Sequence, residues 1–164
     1  MDSLVPTLDD SQLIPRRSFG YRLWMLRHAW TRRLEAVLAP TGLTHMQFFL
    51  MRAIQQLNSD GHTPSQTRLA DGMHIDRMTV SKVVRTLEAK GLVTRTANPA
   101  DSRANTVALT ADGASLADRA ATLAIAEQDR FFGRLGPDRK AEFSDMLDEL
   151  LANPGCPFMT TERP

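Results

Sequence analysis

Four apolar residues fix what the middle of this chain can be. Val80, Val83, Val84 and Leu87 stand at i, i+3, i+4 and i+7, the spacing of one buried helical face. Asp76 precedes them and can cap the helix, because its carboxylate can accept from the unpaired amides of the first turn. Gly91 follows and can end it, since glycine adopts the left-handed conformation needed just past a helix. Valine is a mediocre helix former, so packing rather than propensity must hold this segment. The other side carries Arg77, Thr79, Ser81, Lys82 and Arg85. Taken alone, that side also fits an ordinary solvated basic face. The flanking segments change the reading.

Upstream, Thr63-Pro64-Ser65-Gln66 predicts a helix start, with threonine as cap, proline at the first helical position and glutamine closing a capping box. Leu69 and Ala70 then face inward. Gly72-Met73-His74-Ile75 is short enough to be the turn between two steeply crossed helices. Downstream, Leu92–Ala97 and Ala104–Leu109 are strand-like, and Val107 and Leu109 alternate with Thr106 and Ala108, which predicts one buried face. The linker from Asn98 to Arg103 exceeds a two-residue hairpin turn, and extra length on a small hairpin suggests a use for its tip. Helix, turn, helix and hairpin make a winged helix-turn-helix. The donors on its second helix are of the kind that read base edges and hold phosphates.

LADGMHIDRMTVSKVVRTLEAKGLVTR and the following NPADSRANTVALTADG resemble the MarR family of bacterial transcription regulators. The likeness runs from about Phe19 to about Leu151 and is strongest over 63–113. Its most specific part is the wing: Arg95, then Asp101-Ser102-Arg103, then Leu109-Thr110 and Gly113. The resemblance implies that Arg103, in the family's Asp-x-Arg pattern, reaches into the DNA minor groove while Asp101 helps to hold the wing. It implies that the first and last helices form a dimer. It also implies a cleft between those helices and the DNA lobe, where small aromatic or anionic compounds bind and change the spacing of the reading helices. Met78 departs from the family pattern, where a smaller residue is commoner, and the departure bears on base preference rather than on fold.

The fold expected is mainly α with a small β-hairpin wing (α+β), flanked by N- and C-terminal dimerisation helices. Residues 1–15 read as an arm, 16–58 as a helical region, 59–110 as the winged helix-turn-helix lobe, 111–152 as C-terminal helices and 153–164 as a tail. Arg16–Ala39 reads as a long helix with Phe19, Leu23, Leu26, Trp30, Leu34 and Val37 on one face, ended by Pro40 and Gly42. Arg17, Arg27, Arg32 and Arg33 fall on the other, solvated side. Thr44 to Gln47 is a capping-box pattern opening a second helix through Leu50, Ala53, Ile54 and Leu57, and Asn58 to Gly61 is a turn cluster. Thr110 caps a long helix to about Leu135, Gly136-Pro137 punctuates, and Lys140–Leu151 is a last amphipathic helix. These terminal helices have more apolar surface than a small winged helix can cover, which predicts a subunit interface and a homodimer.

Net charge is only +1 over 164 residues, so a DNA reader here must concentrate its positive charge locally. From Arg77 to Arg103 six cations stand against two anions, whereas from Asp138 onward six acids face three bases. The expected partner is therefore double-stranded DNA, read at a palindromic operator by a homodimer whose reading helices lie about 34 Å apart. Arg77, Ser81, Lys82 and Arg85 would enter the major groove with Thr79 near the backbone, Arg103 the minor groove, and Ser65 and Gln66 would hold phosphate. Arg95 and Asp101 would support the wing. Trp24, His28, His45, Phe48 and Met51 are candidates for an aromatic or carboxylate ligand, with plain core the preferred reading of Phe48 and Met51. Two other readings stand beside the ligand-released repressor: a winged helix that docks proteins without specific DNA binding, and a repressor that needs no ligand.

An enzyme fits poorly, for the chain has no phosphate-binding glycine loop, Ser-His-Asp set or paired carboxylates, and no cofactor is implied. His28, His45, His62 and His74 are scattered without metal-ligand spacing. The single Cys156 excludes an internal disulfide. MDSLVPTLDD lacks the basic-then-apolar order of a signal peptide and no apolar run reaches membrane-span length, so a cytoplasmic protein is expected.

Overall fold

Side-chain oxygens set where most of the helices begin. The computed structural model describes residues 18–59, 63–98 and 101–152, with backbone alone at 98 and 101–104. The order is α1 (Phe19–Leu38), α2 (His45–Ser59), α3 (Gln66–Met73), α4 (Arg77–Ala89), β1 (Val93–Asn98), β2 (Asp101–Leu109), α5 (Ala111–Phe132) and α6 (Pro137–Leu151). Short 3-10 turns over Ala39–Thr41 and Gly133–Leu135 follow α1 and α5. The chain is mainly helical with a two-stranded antiparallel wing. The arm, the tail with Cys156, Arg16 and Arg17, and Asp60 and Gly61 of the turn cluster lie outside the described residues.

The box at Thr44 is complete. Thr44 Oγ1 accepts from the Gln47 amide at 3.2 Å, and Gln47 Oε1 accepts from the Thr44 amide at 3.2 Å. Thr110 caps α5 by accepting from the Gly113 amide at 3.0 Å, while its hydroxyl donates to the Gly91 carbonyl at 2.8 Å. Gly42 and Gly91 both take positive φ, as the helix ends require.

Several boundaries move. The cap of α3 is Ser65 rather than Thr63, with Ser65 Oγ accepting from the Arg68 amide at 3.1 Å. Pro64 lies ahead of the helix because the segment is extended there: its carbonyl accepts from the Val107 amide at 2.9 Å, and Ser65 bridges to Thr106. Gly72 and Met73 complete α3 instead of forming the turn, and the left-handed residue is His74, at φ 51°. The Ile75 amide then bonds the Ala70 carbonyl at 3.0 Å, which satisfies the carbonyls that a helix end leaves open. Asn58 and Ser59, expected in a turn, finish α2, the Ser59 hydroxyl donating to the Gln55 carbonyl at 3.0 Å. The last helix starts at Pro137 rather than Lys140, since proline suits a first helical position.

α2 is the hub of the core and packs on α1, α3, α4, α5 and β2. Leu50, Met51 and Ile54 of α2 meet Leu34 and Leu38 of α1, Leu69 of α3, Val80, Val84 and Leu87 of α4, and Val107 of β2, all buried. Buried Ala117, Ala120 and Ala124 line the inner side of α5. The apolar stripe of α1 leaves the core partway along: Leu34 is buried and Trp30 partly so, but Phe19, Leu23, Trp24 and Met25 are exposed. Among the described residues α6 buries no side chain and exposes Met146, Leu150 and Leu151.

The start of α5 is seated on the base of the wing. A Cβ placed on Gly113 would lie 2.0 Å from the Leu92 carbonyl oxygen, whereas one on Gly72, inside α3, meets nothing within 4 Å. Two Gly→Ala substitutions should therefore act in opposite directions. Gly113→Ala is expected to destabilise the fold by about 2–3 kcal/mol through forced backbone displacement. Gly72→Ala should stabilise it by about 0.5–1 kcal/mol through helix propensity. Urea unfolding at one fixed protein concentration measures both, and equal effects would contradict this seating of α5.

Candidate nucleic-acid interface

The reading face is produced by the face that is buried. At about 100° per residue, the burial of Val80, Val84 and Leu87 turns Met78, Lys82 and Arg85 directly outward, and all three are exposed. Arg77 and Ser81 flank that stripe, Arg77 exposed and Ser81 half-buried. Arg77 approaches Asp71 only to 3.9 Å, a loose ion pair between exposed groups. Met78, the departure from the family pattern, is 81% exposed and stands among these cations.

Asp76 fixes where this helix starts. Its Oδ1 accepts from the Thr79 amide at 2.8 Å and its Oδ2 from the Thr79 hydroxyl at 2.6 Å. Hydrogen bonds from the Thr79 side chain and then from its amide hold the Asp76 carboxyl below its ordinary value. Thr79, expected near the DNA backbone, thus gives its hydroxyl to the cap. At the other end, Gly91 at φ 70° lets the Leu92 amide reach the Leu87 carbonyl at 2.9 Å. Ser65 and Gln66 sit at the first turn of α3, with Ser65 Oγ engaged in capping.

The wing differs from its sequence reading in one respect. Asp101 to Arg103 belong to strand β2, so only residues 99–100 separate the strands. Asn98 is in register with Asp101 and Ala97 with Asn105. Ser102, Arg103 and Ala104 therefore have no counterparts on β1, and the extra length appears as a bulge rather than a long loop. The side chains of Asp101 and Arg103 lie outside the described residues. Arg95 ties β1 to α4: its Nη2 lies 2.6 Å from Glu88 Oε2 and its Nε donates to the same oxygen at 2.8 Å. The hydrogen bond to Glu88 raises the Arg95 guanidinium pKa.

The five ligand candidates do not converge within one subunit. Met51 is wholly buried and Phe48 nearly so, both as core. Trp24 packs edge-on against His28 at 4.3 Å on the exposed part of α1. His45 Nδ1 is 2.7 Å from Glu35 Oε1, which lies roughly 16 Å along the helix from Trp24 at 1.5 Å per residue. A different concavity opens between α1, α2 and α5, with a volume of about 250 Å³. Trp30, Phe48, Phe49 and Ile125 wall it, and Arg52 and Gln128 supply polar groups. Arg52 Nη1 donates to Gln55 Oε1 at 2.5 Å.

A buried carboxylate on α5 gathers two arginines. Arg33, assigned to a solvated face, donates through Nε to Glu127 Oε1, and Arg130 donates to Glu127 Oε2 at 3.0 Å. Glu127 is 2% exposed. Its spacing from Ala120 and Ala124 continues the buried side of α5, and that was the available signal. Among the described residues no group of His, Cys, Asp or Glu could hold a metal ion, and no helix is long and apolar enough to cross a membrane.

A model of the MarR family matches residues 43–104. The chain is similar to the HTH-type transcriptional regulator YdcH of Bacillus subtilis, at 35% identity over 137 residues that cover 84% of this chain and 92% of YdcH. It is also similar to the HTH-type transcriptional repressor Rv2887 of Mycobacterium tuberculosis, at 33% identity, covering 80% of this chain and 91% of the repressor. Among solved structures, the repressor CouR bound to a 23-mer DNA duplex matches with a TM-score of 0.74 at 27% identity, over 81% of this chain and 92% of CouR. CouR from Rhodococcus jostii RHA1 bound to p-coumaroyl-CoA matches with a TM-score of 0.70 over 83% of this chain and 91% of that one.

The Asp76 cap makes a pH-dependent expectation. A carboxyl held low in the folded state contributes stability above its unfolded value and loses it as pH falls through the folded one. Asp76→Ala should therefore lower the melting temperature at neutral pH. The gap from the parent should close in acid, below the ordinary aspartate value of 3.8. Thermal melts followed by circular dichroism across pH measure this, and a gap that persists when the carboxyl is protonated would show that Asp76 acts otherwise.

Proposed function

The chain belongs to the MarR family, and from that premise we propose that it represses genes beside a palindromic operator as a homodimer and is released by a small aromatic or anionic compound. It is a DNA-binding transcription regulator with a winged helix-turn-helix, and not an enzyme. The observation that carries the finer reading is the outward stripe of α4. Its cations are exposed, and among the described residues the ion pair of Arg77 with Asp71 is a loose one, on a helix locked in place by its apolar side.

In this reading Arg77, Ser81, Lys82 and Arg85 meet base edges in the major groove. Thr79 acts through the cap that orients the helix. Ser65 and Gln66 hold phosphate at the start of α3, and Arg103 enters the minor groove, where width and A·T content are read. Arg95 and Asp101 keep the wing at its angle. Dimerisation is supported by the exposed Phe19, Leu23, Trp24 and Met25 of α1 and Leu150 and Leu151 of α6, apolar surface that a second subunit would cover. A protein working on chromosomal DNA would act in the cytoplasm.

The concavity between α1, α2 and α5, which of the five candidates only Phe48 lines, is the better place for the ligand. Its aromatic walls suit a planar ring, and the Arg52 guanidinium suits a carboxylate. CouR, which shares the fold, holds p-coumaroyl-CoA, an aromatic acyl thioester, and that likeness supports an aromatic ligand here. The rival reading, a winged helix that docks proteins, leaves the exposed cations of α4 without a use.

Arg85→Ala should relax base preference at one position by about 1–3 kcal/mol if its guanidinium makes a bidentate contact. Arg103→Ala should weaken binding across sequences and lower the salt slope by about 1. Competition assays on matched and mismatched duplexes separate the two, and unchanged affinity in Arg103→Ala would remove the wing from the interface. For the ligand, benzoate- and cinnamate-type acids are expected to raise the melting temperature and release DNA, and Arg52→Ala should abolish both effects. Release that survives the Arg52 substitution would move the ligand elsewhere.

A further inference from the structure

We propose that Met78 reads a thymine methyl group in the major groove and so sets a base preference that the cations of α4 cannot supply. The inference rests on the reading of α4 as the helix that enters that groove.

Met78 is 81% exposed, a degree exceeded among the described exposed large hydrophobics only by Phe19 at 84%. The others in that class lie on α1, α2, α5 and α6: Leu23, Trp24 and Met25, then Phe49, then Leu123 and Ile125, then Met146, Leu150 and Leu151. Association between subunits or a ligand can cover those. Among the described residues, Met78 is the one exposed large hydrophobic side chain of the lobe from Thr63 to Leu109. It is the second residue of α4 and heads the outward stripe that continues through Lys82 and Arg85.

The first turn of the second helix is the part of a helix-turn-helix that reaches base edges. The major-groove edges of the bases present donors, acceptors and one apolar group, the C5 methyl of thymine. A thioether side chain is a poor partner for phosphate, and its flanking cations serve that purpose better. Its flexible, polarisable chain can follow a methyl group and exclude water from it. Isolated exposed apolar residues are common on protein surfaces, so position carries the inference: this one stands where the base edges would be.

The test uses the full-length protein and duplexes it enriches from a randomised pool. Each thymine of the enriched operator is replaced by deoxyuridine, which removes the methyl and nothing else. At one symmetric position the replacement should weaken binding by about three- to five-fold per half-site, the worth of one buried methyl. Met78→Ala should bind the thymine and deoxyuridine duplexes equally, and Met78→Leu should keep the discrimination. If an operator is enriched but no replacement matters, or if Met78→Ala still distinguishes the two duplexes, the role of Met78 is overturned while α4 remains the reading helix. If no sequence is enriched, the DNA reading of α4 falls and the inference falls with it. Because Met78 is exposed, its substitutions should leave the melting temperature unchanged, which separates lost contact from lost fold.

Discussion

The burial of one side of α4 is the constraint on which the rest depends. Val80, Val84 and Leu87 are almost completely withdrawn from solvent, each worth roughly 1.5–3 kcal/mol relative to exposure. β-branched residues give the helix little intrinsic support, so its orientation is decided by α2, α3 and β1, against which it packs. Asp76 and Gly91 set its two ends. Once these are fixed, the direction of Met78, Lys82 and Arg85 has no remaining freedom at the level of the backbone. Arrangement of the basic face is thus a consequence of core packing.

The same physics says what was legible in the sequence. The apolar run of α4, the capping box at Thr44, the cap at Thr110 and the burial of Val107 are local patterns that appear where the residues imply, although Val83 and Leu109 are only partly buried. The misplaced boundaries have non-local causes. Pro64 and Ser65 are extended because β2 offers them a partner, and no local signal reports that strand. His74 takes the left-handed position that the neighbouring Gly72 would ordinarily be assigned. Residues 98–103 read as a long loop because a bulge and a loop have the same composition. Glu127 looks like a surface residue until Arg33, 94 positions away, meets it.

The candidate site was legible unevenly. Charged residues of α4 could be read because a buried stripe dictates its opposite. Met78 stood out only as a departure from the family pattern, since an apolar residue on a basic face offers no periodic pattern of its own to match. The five ligand candidates do not converge within one subunit because aromatic and histidine content along two helices does not specify which sides meet. The concavity that does form depends on α5, whose alanines let it approach α1 and α2. Its position bears on mechanism: α2 lines it through Phe48 and Arg52 and also packs on α3 and α4. A compound seated there would press on the element that carries the reading helix, and only a difference in its affinity for the two spacings could shift their populations.

The central claim is that the exposed stripe of α4 and the wing bind DNA by sequence. Fluorescence anisotropy with the DNA upstream of the protein's own gene, set against a scrambled duplex at two salt concentrations, tests it most directly. The account expects tight binding to the upstream DNA, a clear margin over the scrambled duplex, and a steep loss with salt as phosphate contacts release counterions. Weak binding, indifferent to both sequence and salt, would contradict it and leave the winged helix as a surface for another protein.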